Sequence, residues 1–151
     1  ILKYLPDNIE YFGIDLSDKY ISDAKKKFNE RGTFICVDFK NFDFVQIGNP
    51  DIIILIGVLH HLDDDEVTDL FKSLSTIIGD NTRFVTVDPC FIANQSFLAK
   101  LAVSMDRGQD IRMPDKLEAL LKPFSSTTKM FIRSDLLSIP YNHAIVLGQL
   151  S

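Results

Sequence analysis

The chain has few cysteines, which argues against a disulfide-stabilised fold. Cys36 and Cys90 are the only two among 151 residues, they lie far apart, and each lies in or beside an apolar segment. We therefore expect buried free thiols, as in a protein of the reducing cytosol, and a cytoplasmic location.

Basic residues are also too few for a nucleic-acid-binding surface. The chain has 16 Lys and Arg against 21 Asp and Glu, for a net charge of −5, whereas phosphate binding needs clustered positive charge. The one basic cluster, residues 25–27, lies on a predicted helix, where a solvated face explains it. No nucleic acid partner is expected.

Hydrophobic runs of membrane-spanning length are missing as well. A transmembrane helix needs about 20 consecutive apolar residues, and the apolar run at residues 52–59 has eight. No signal peptide is visible either. We expect no membrane partner.

That same run, IIILIGVL, predicts a buried β-strand. It is rich in isoleucine, shows no alternation of polar residues, and lies between Pro50 and an acidic helix start. This is typical of a strand buried on both faces of a parallel sheet. Its carboxyl end leads to Gly57 and two histidines at the edge where open α/β sheets bind ligands. The run therefore predicts both the fold and the location of the site.

Strand and helix patterns alternate along the chain before residue 90 and indicate a doubly wound parallel sheet with right-handed crossovers. Ser17 offers an N-cap, and Gly32 and Gly79 offer helix stops. No linker indicates a second domain. We expect strands at residues 11–15, 33–37, 52–59, 83–87, 127–133 and 143–149, and helices at residues 18–31, 63–79, 94–105 and 114–122.

Acidic residues end two successive predicted strands. Asp15 ends the first, and Asp38 ends the second with Phe39 after it. A carboxylate only accepts hydrogen bonds, so Asp15 can accept from both hydroxyls of a ribose. Asp38 could accept from an adenine amino group while Phe39 covers the ring. Either acid alone could be a surface or helix-capping residue, but together with the Gly57 edge they predict one shared crevice.

Three segments around these residues resemble class I S-adenosylmethionine-dependent methyltransferases. They are YFGIDLSDKYISDAKKKF, FICVDF and PDIIILIGVLHHLDDDEVTDLFKSL, in the family's order and spacing. The LHHL run is frequent in the small-molecule branch. The resemblance implies S-adenosyl-L-methionine as the cofactor and a small-molecule methyl acceptor as the partner. The cofactor-binding residues that it implies are Asp15, Leu16, Asp38, Phe39, Gly57 and Val58.

The resemblance also implies the architecture, a Rossmann-like α/β fold with a mostly parallel sheet. The family's strand order is 3-2-1-4-5-7-6 with an antiparallel final strand. Its first strand and glycine-rich loop have no counterpart in this sequence, and that strand is central. Since its absence would leave two neighbours with unpaired backbone groups, residues 1–151 are expected to be one partial domain of a longer protein, binding the cofactor weakly alone. Two alternatives stay open: the two neighbouring strands pair directly with each other, or a second copy supplies a strand in a homodimer.

Two adjacent histidines are the candidates for catalysis. A neutral imidazole of His60 or His61 at the site edge could remove a proton from an attacking hydroxyl or amine. Alternatively, one packs beneath the following helix and the other hydrogen-bonds locally. Adjacent side chains diverge, and the acids at residues 63–66 are explained by a helix start, so no metal is expected. We expect His143, at the start of the last strand, to be structural.

A polar run at residues 106–112, DRGQDIR, follows the fourth strand and resembles a segment of some bacterial family members. Arg107 and Arg112 could bind a carboxylate or phosphate of the acceptor, since a guanidinium presents paired donors. The alternative is a loop held by local Asp–Arg pairs.

Two other functions share some of these features. A nicotinamide-dependent oxidoreductase would also use the acid after the strand, but would usually need a proton relay that this chain does not convincingly show. A non-catalytic methyltransferase-like scaffold could use some of the twelve phenylalanines at an interface, although core packing explains them equally well. The expected function is methyl transfer by the intact protein, with the acceptor atom open.

Overall fold

The computed structural model describes residues 1–79 and 81–151, which form two compact units, Ile1–Ile47 and Gly48–Ser151. Within this described part, no helix is both long enough and apolar enough to cross a membrane. The helices and strands lie close to the positions that the sequence predicts.

The first unit is a two-stranded parallel sheet joined by one helix. Strand β1 (Phe12–Asp15) pairs in parallel with strand β2 (Thr33–Cys36), and helix α1 (Asp18–Phe28) connects them. Ile21 of α1 packs with Leu2 and Phe34 in a small core. The helical spacing of the apolar residues in α1 therefore fixes the face that it turns to the sheet.

The second unit holds a four-stranded sheet and three helices. Strand β3 pairs in parallel with β4, and β4 and β5 both pair antiparallel with β6, so that the order is β3-β4-β6-β5. The bounds are β3 (Ile52–Ile56), α2 (Asp64–Ser75), β4 (Arg83–Pro89), α3 (Phe97–Ser104), α4 (Pro114–Leu121), β5 (Ser125–Arg133) and β6 (His143–Leu150).

The strand neighbours confirm the expected architecture. With the family's first strand left out, its order leaves two groups of neighbours, which correspond here to β2-β1 and β3-β4-β6-β5. The last strand is antiparallel, as expected. The chain therefore has a mixed α/β fold of the Rossmann-like type.

Helix α2 shows why the acidic run starts a helix. Asp63 is the N-cap, and its carboxylate accepts from the Glu66 backbone N–H at 2.8 Å, while Glu66 accepts from the Asp63 N–H at 3.0 Å. This reciprocal capping box pairs two backbone donors that the helix itself cannot use. The ring of Phe71, further along the helix, packs edge-on against Phe84 of β4 at 5.3 Å between centroids.

The end of α2 differs from the prediction. The helix ends at Ser75 instead of near Gly79. The hydroxyls of Ser75 and Thr76 donate back to the carbonyls of Phe71 and Ser73 at 2.9 and 2.7 Å. Such local bonds compete with continuation of the helix.

The burial of β3 also differs from the prediction. Ile52 and Ile56 are 58% and 56% exposed, although the run is typical of a strand buried on both faces. Among the described residues, β3 pairs with β4 alone and so forms an edge of its sheet. An edge strand leaves side chains at its ends accessible.

Both cysteines are free thiols, as expected, but only one is buried. Cys36, at the end of β2, is exposed, and its thiol donates to the Leu16 carbonyl at 3.5 Å. Cys90 is buried directly after β4, and burial raises the pKa of its thiol to about 11.

Candidate functional site

The two predicted cofactor acids lie at the carboxyl ends of paired strands. Asp15 lies opposite Cys36 in the parallel ladder, and Asp38 follows two residues later, so both belong to the same edge of the sheet. The Asp15 carboxylate accepts from the Ser17 N–H at 2.7 Å, and that of Asp38 accepts from the Lys40 N–H at 3.0 Å. Each acid thus holds the turn that follows its strand.

The neighbours of these acids are accessible to different degrees. Leu16 is 73% exposed, whereas Phe39 is half-buried at the start of a 3₁₀ turn. Gly57 and Val58 belong to the second unit. Their place in one crevice with Asp15 and Asp38 stays a prediction.

Gly57 makes a turn that only glycine adopts readily. Its φ is 63°, in the left-handed region, and its N–H donates to the Val87 carbonyl at 2.8 Å. A β-carbon at this position would lie 3.5 Å from Cε1 of His60. The turn continues through Val58 into a 3₁₀ turn at Leu59–His61, which brings the histidine ring beside the glycine.

His60 is buried between two carboxylates. Its Nδ1 lies 3.0 Å from Oδ1 of Asp88, and its Nε2 lies 3.0 Å from Oδ1 of Asp106. The His60 backbone N–H also donates to Asp88, at 3.2 Å. Since Asp88 is itself 2% exposed, the Nδ1 side of the ring is held by a buried carboxylate.

Asp106 receives two further hydrogen bonds. The Tyr141 hydroxyl and the Gly108 N–H both donate to its carboxylate. Burial works toward a higher pKa of Asp106, but these two bonds and the charges of His60 and His61 outweigh it, and its pKa is lowered. Burial and the same bond raise the pKa of Tyr141. Asp106 is therefore an ionised acceptor at neutral pH.

His61 lies on the solvent side of the same turn. It is exposed, and its ring centroid lies 4.0 Å from that of His60. Its backbone N–H donates to the Val58 carbonyl at 3.1 Å. In the described part of the chain, its ring nitrogens make no hydrogen bond.

His143 borders this cluster from β6. Burial lowers its pKa, against the charges of Asp88 and Asp106, and the charge of His60 lowers it further. Nδ1 of His143 and Oδ2 of Asp88 are buried and have no hydrogen-bond partner in the described structure. The sequence interpretation of His143 as merely structural therefore missed its closeness to the His60 cluster.

Arg112 is committed to the protein itself. Its guanidinium donates to the carbonyls of Leu59 and Leu62 at 2.8 and 2.7 Å, and it forms an ion pair with Asp64 at 2.7 Å. The ion-pair partner of Arg112 is thus a distant acid on α2 and not an acid of the run 106–112 itself, so this pair differs from the local Asp–Arg pairing that the sequence suggested. Arg107, by contrast, is exposed and makes no hydrogen bond or ion pair among the described residues.

A shallow hollow opens where the chain runs from β4 into α3. Among the described residues, no group of three or more His, Cys, Asp and Glu is arranged to hold a metal ion. The hollow is lined by Phe91, Ile92, Ala93, Asn94, Gln95, Lys100 and Met113.

Comparison with known families identifies the first half of the chain. A family model described as "Methyltransferase domain" matches residues 1–84, which is more than half of the 151 residues. No curated protein sequence is significantly similar to this chain.

Solved structures share the fold at low sequence identity. Human N-acetylserotonin methyltransferase in complex with SAM is 17% identical, with 95% of this chain and 41% of that chain covered and a TM-score of 0.63. The N-methyltransferase NodS from Bradyrhizobium japonicum WM9, in complex with S-adenosyl-L-homocysteine, is 11% identical, with 92% and 65% covered and a TM-score of 0.69.

A structure described as a pericyclic reaction enzyme is 13% identical, with 97% of this chain and 38% of that chain covered and a TM-score of 0.70. In each of these three cases this chain covers less than two thirds of the other protein's length. At such low sequence identities the structural similarity establishes the fold, and the chemistry has to be argued from the residues of the site.

Proposed function

This chain belongs to the methyltransferase domain family, and we propose on that basis that the intact protein transfers a methyl group from S-adenosyl-L-methionine to a small-molecule acceptor. The observation that carries the proposal is the pair of acids, Asp15 and Asp38, at one edge of paired parallel strands. Two of the compared structures hold SAM or S-adenosyl-L-homocysteine, which supports the same cofactor here.

The residues proposed to hold the cofactor divide between its parts. Asp15 would accept from the ribose hydroxyls with its carboxylate, beside Leu16. Asp38 and Phe39 would meet the adenine, one through a hydrogen bond and the other through its ring face. The remaining two residues, Gly57 and Val58, would lie near the methionine end.

When bound, the sulfonium cofactor supplies an already activated methyl group and a neutral leaving group. The protein's task is then to place the acceptor in line with the methyl group and to exclude water. The hollow beside Lys100 and Met113 is the proposed entrance for the acceptor. A base is needed only when the acceptor must lose a proton, and His60 and His61 are the proposed candidates.

A thermal-shift experiment on the intact protein tests the choice of cofactor. We expect S-adenosyl-L-homocysteine to raise Tm, because a ligand that binds only the folded state stabilises it. NADH at the same concentration should leave Tm unchanged. A rise in Tm with NADH and none with S-adenosyl-L-homocysteine would refute the proposal.

A further inference from the structure

The two adjacent histidines do not play the same part. We propose that His60 is a positioning residue whose ring lies buried between two carboxylates, and that His61 is the histidine that exchanges a proton with the acceptor. This inference rests on the proposed function, because it divides the roles within that site.

First, both ring nitrogens of His60 face carboxylates of the protein. A neutral imidazole carries one N–H donor and one acceptor nitrogen. Oδ1 of Asp106 already accepts from the Gly108 N–H, and Oδ1 of Asp88 already accepts from the His60 backbone N–H. Nδ1 of His60 shares a hydrogen bond with Oδ1 of Asp88, and Nε2 lies 3.0 Å from Oδ1 of Asp106. Each ring nitrogen therefore faces a carboxylate of the protein instead of open solvent.

The second step concerns access to the His60 ring. Residues 106–112, which we call the cover segment, lie over the turn that carries it. The Asp110 N–H donates to the His60 carbonyl at 3.1 Å, and Arg112 donates to the carbonyls of Leu59 and Leu62. The result is that His60 is 6% exposed, so an acceptor reaches the ring only if the cover segment opens.

The third step concerns His61. It is exposed, and its ring lies against that of His60. The charged and titratable groups around the pair include Asp88 from β4, Asp106, Arg112 and Tyr141 from the loops, and His143 from β6. Neither carboxylate hydrogen-bonds to the His61 ring within the described structure, so its nitrogens remain available to a ligand.

Chemical modification of the unchanged protein tests this division. Diethyl pyrocarbonate reacts with accessible imidazole nitrogens that carry a lone pair, and tandem mass spectrometry separates the two adjacent sites. We expect His61 to be modified at least about tenfold faster than His60, since modification of His60 first requires local opening of the cover segment. Equal rates, or faster modification of His60, would overturn the assignment.

One substitution tests whether the hydrogen bond from Tyr141 to Asp106 protects His60 from modification. Tyr141→Phe removes the hydroxyl that donates to Asp106, so modification of His60 should speed up while that of His61 stays the same. Tyr20→Phe, at a residue that is 62% exposed, is the matched control and should change neither rate. Protection of His60 that is the same in both variants would show that Asp106 does not hold the ring.

A kinetic comparison separates positioning from proton transfer. With an acceptor that must lose a proton, His61→Asn should lower kcat about 100-fold or more while leaving S-adenosyl-L-homocysteine affinity unchanged. If the protein still binds S-adenosyl-L-homocysteine but diethyl pyrocarbonate modifies His60 as fast as His61 or faster, only the assignment of roles to the two histidines is overturned. Loss of that binding in the unchanged protein overturns the proposed function.

Discussion

Gly108 lies directly against His60. A β-carbon built on residue 108 would lie 2.0 Å from Cδ2 of the His60 ring and 2.5 Å from its carbonyl oxygen. The position therefore accepts only a residue without a side chain while the cover segment stays in place. Because the obstacle includes a backbone atom, a small adjustment of the ring cannot relieve it.

Gly108→Ala should lower the free energy of unfolding by about 1–3 kcal/mol, since an inserted methyl group forces packed groups apart. Urea denaturation measures this. Gly79→Ala is the control, because the nearest described atom beyond its chain neighbours would be the Thr82 hydroxyl oxygen, 4.0 Å from its β-carbon. Equal losses in the two variants would contradict the close contact between Gly108 and His60.

Arg112→Ala should be more harmful than Arg107→Ala, although both lie in the cover segment. Removal of the Arg112 guanidinium takes away the donor described for the Leu62 carbonyl and leaves the Leu59 carbonyl with the Leu62 N–H alone, which should cost about 1–3 kcal/mol. Loss of the exposed Arg107 should change the free energy of unfolding by less than about 0.5 kcal/mol. Denaturant titrations of the two variants side by side give the comparison, and a reversed order would argue against the described contacts.

The bond between Tyr141 and Asp106 should make stability depend on pH. The pKa of Asp106 is lowered from 3.8, so its stabilisation is fully present above that pH and is lost as the pH falls through the folded value. The pKa of Tyr141 is raised from 10.0, so its contribution is present below pH 10 and is lost as the pH rises through the folded value.

Tyr141→Phe should therefore lose about 1 kcal/mol at neutral pH and less at pH 3. Unfolding by urea at the two pH values tests this, with Tyr20→Phe as the control. A deficit that is the same at pH 3 and pH 7 would mean that the hydroxyl does not stabilise an ionised Asp106.

The two thiols should differ sharply in reactivity. Iodoacetamide at pH 8 should label the exposed Cys36 and leave the buried Cys90 unlabelled, because burial and a pKa of about 11 both suppress its thiolate. In urea both should react. Labelling of Cys90 in the native protein at the rate of Cys36 would contradict its burial.

Local signals made most of the fold predictable. The apolar run before Gly57 marks β3, and the acids from Asp63 to Glu66 mark the start of α2, because a capping box is a pattern of near neighbours in sequence. The exposure of Ile52 and Ile56 was not predictable in the same way. It depends on which strands lie beside β3, and a run of isoleucines looks the same at the centre and at the edge of a sheet.

The cluster around His60 was only partly predictable. Asp88 lies at the end of β4 just as Asp15 and Asp38 end or follow their strands, so an acid at a strand end was a usable signal. Asp106 and Tyr141 carry no such mark, because they meet only when the cover segment folds back over the turn. Thirty-five positions separate these two residues, and no local pattern records that contact.

Calorimetric titration of the intact protein with S-adenosyl-L-homocysteine, beside its Asp15→Asn and Asp18→Asn variants, measures whether the Asp15 carboxylate holds the cofactor. In Asp15→Asn the new amide oxygen can still accept from the Ser17 N–H, but the side chain offers the ribose one acceptor oxygen in place of two. We expect saturable binding that Asp15→Asn weakens about 10- to 100-fold and that Asp18→Asn leaves unchanged. Absent binding, or equal affinity of the unchanged protein and Asp15→Asn, would contradict it.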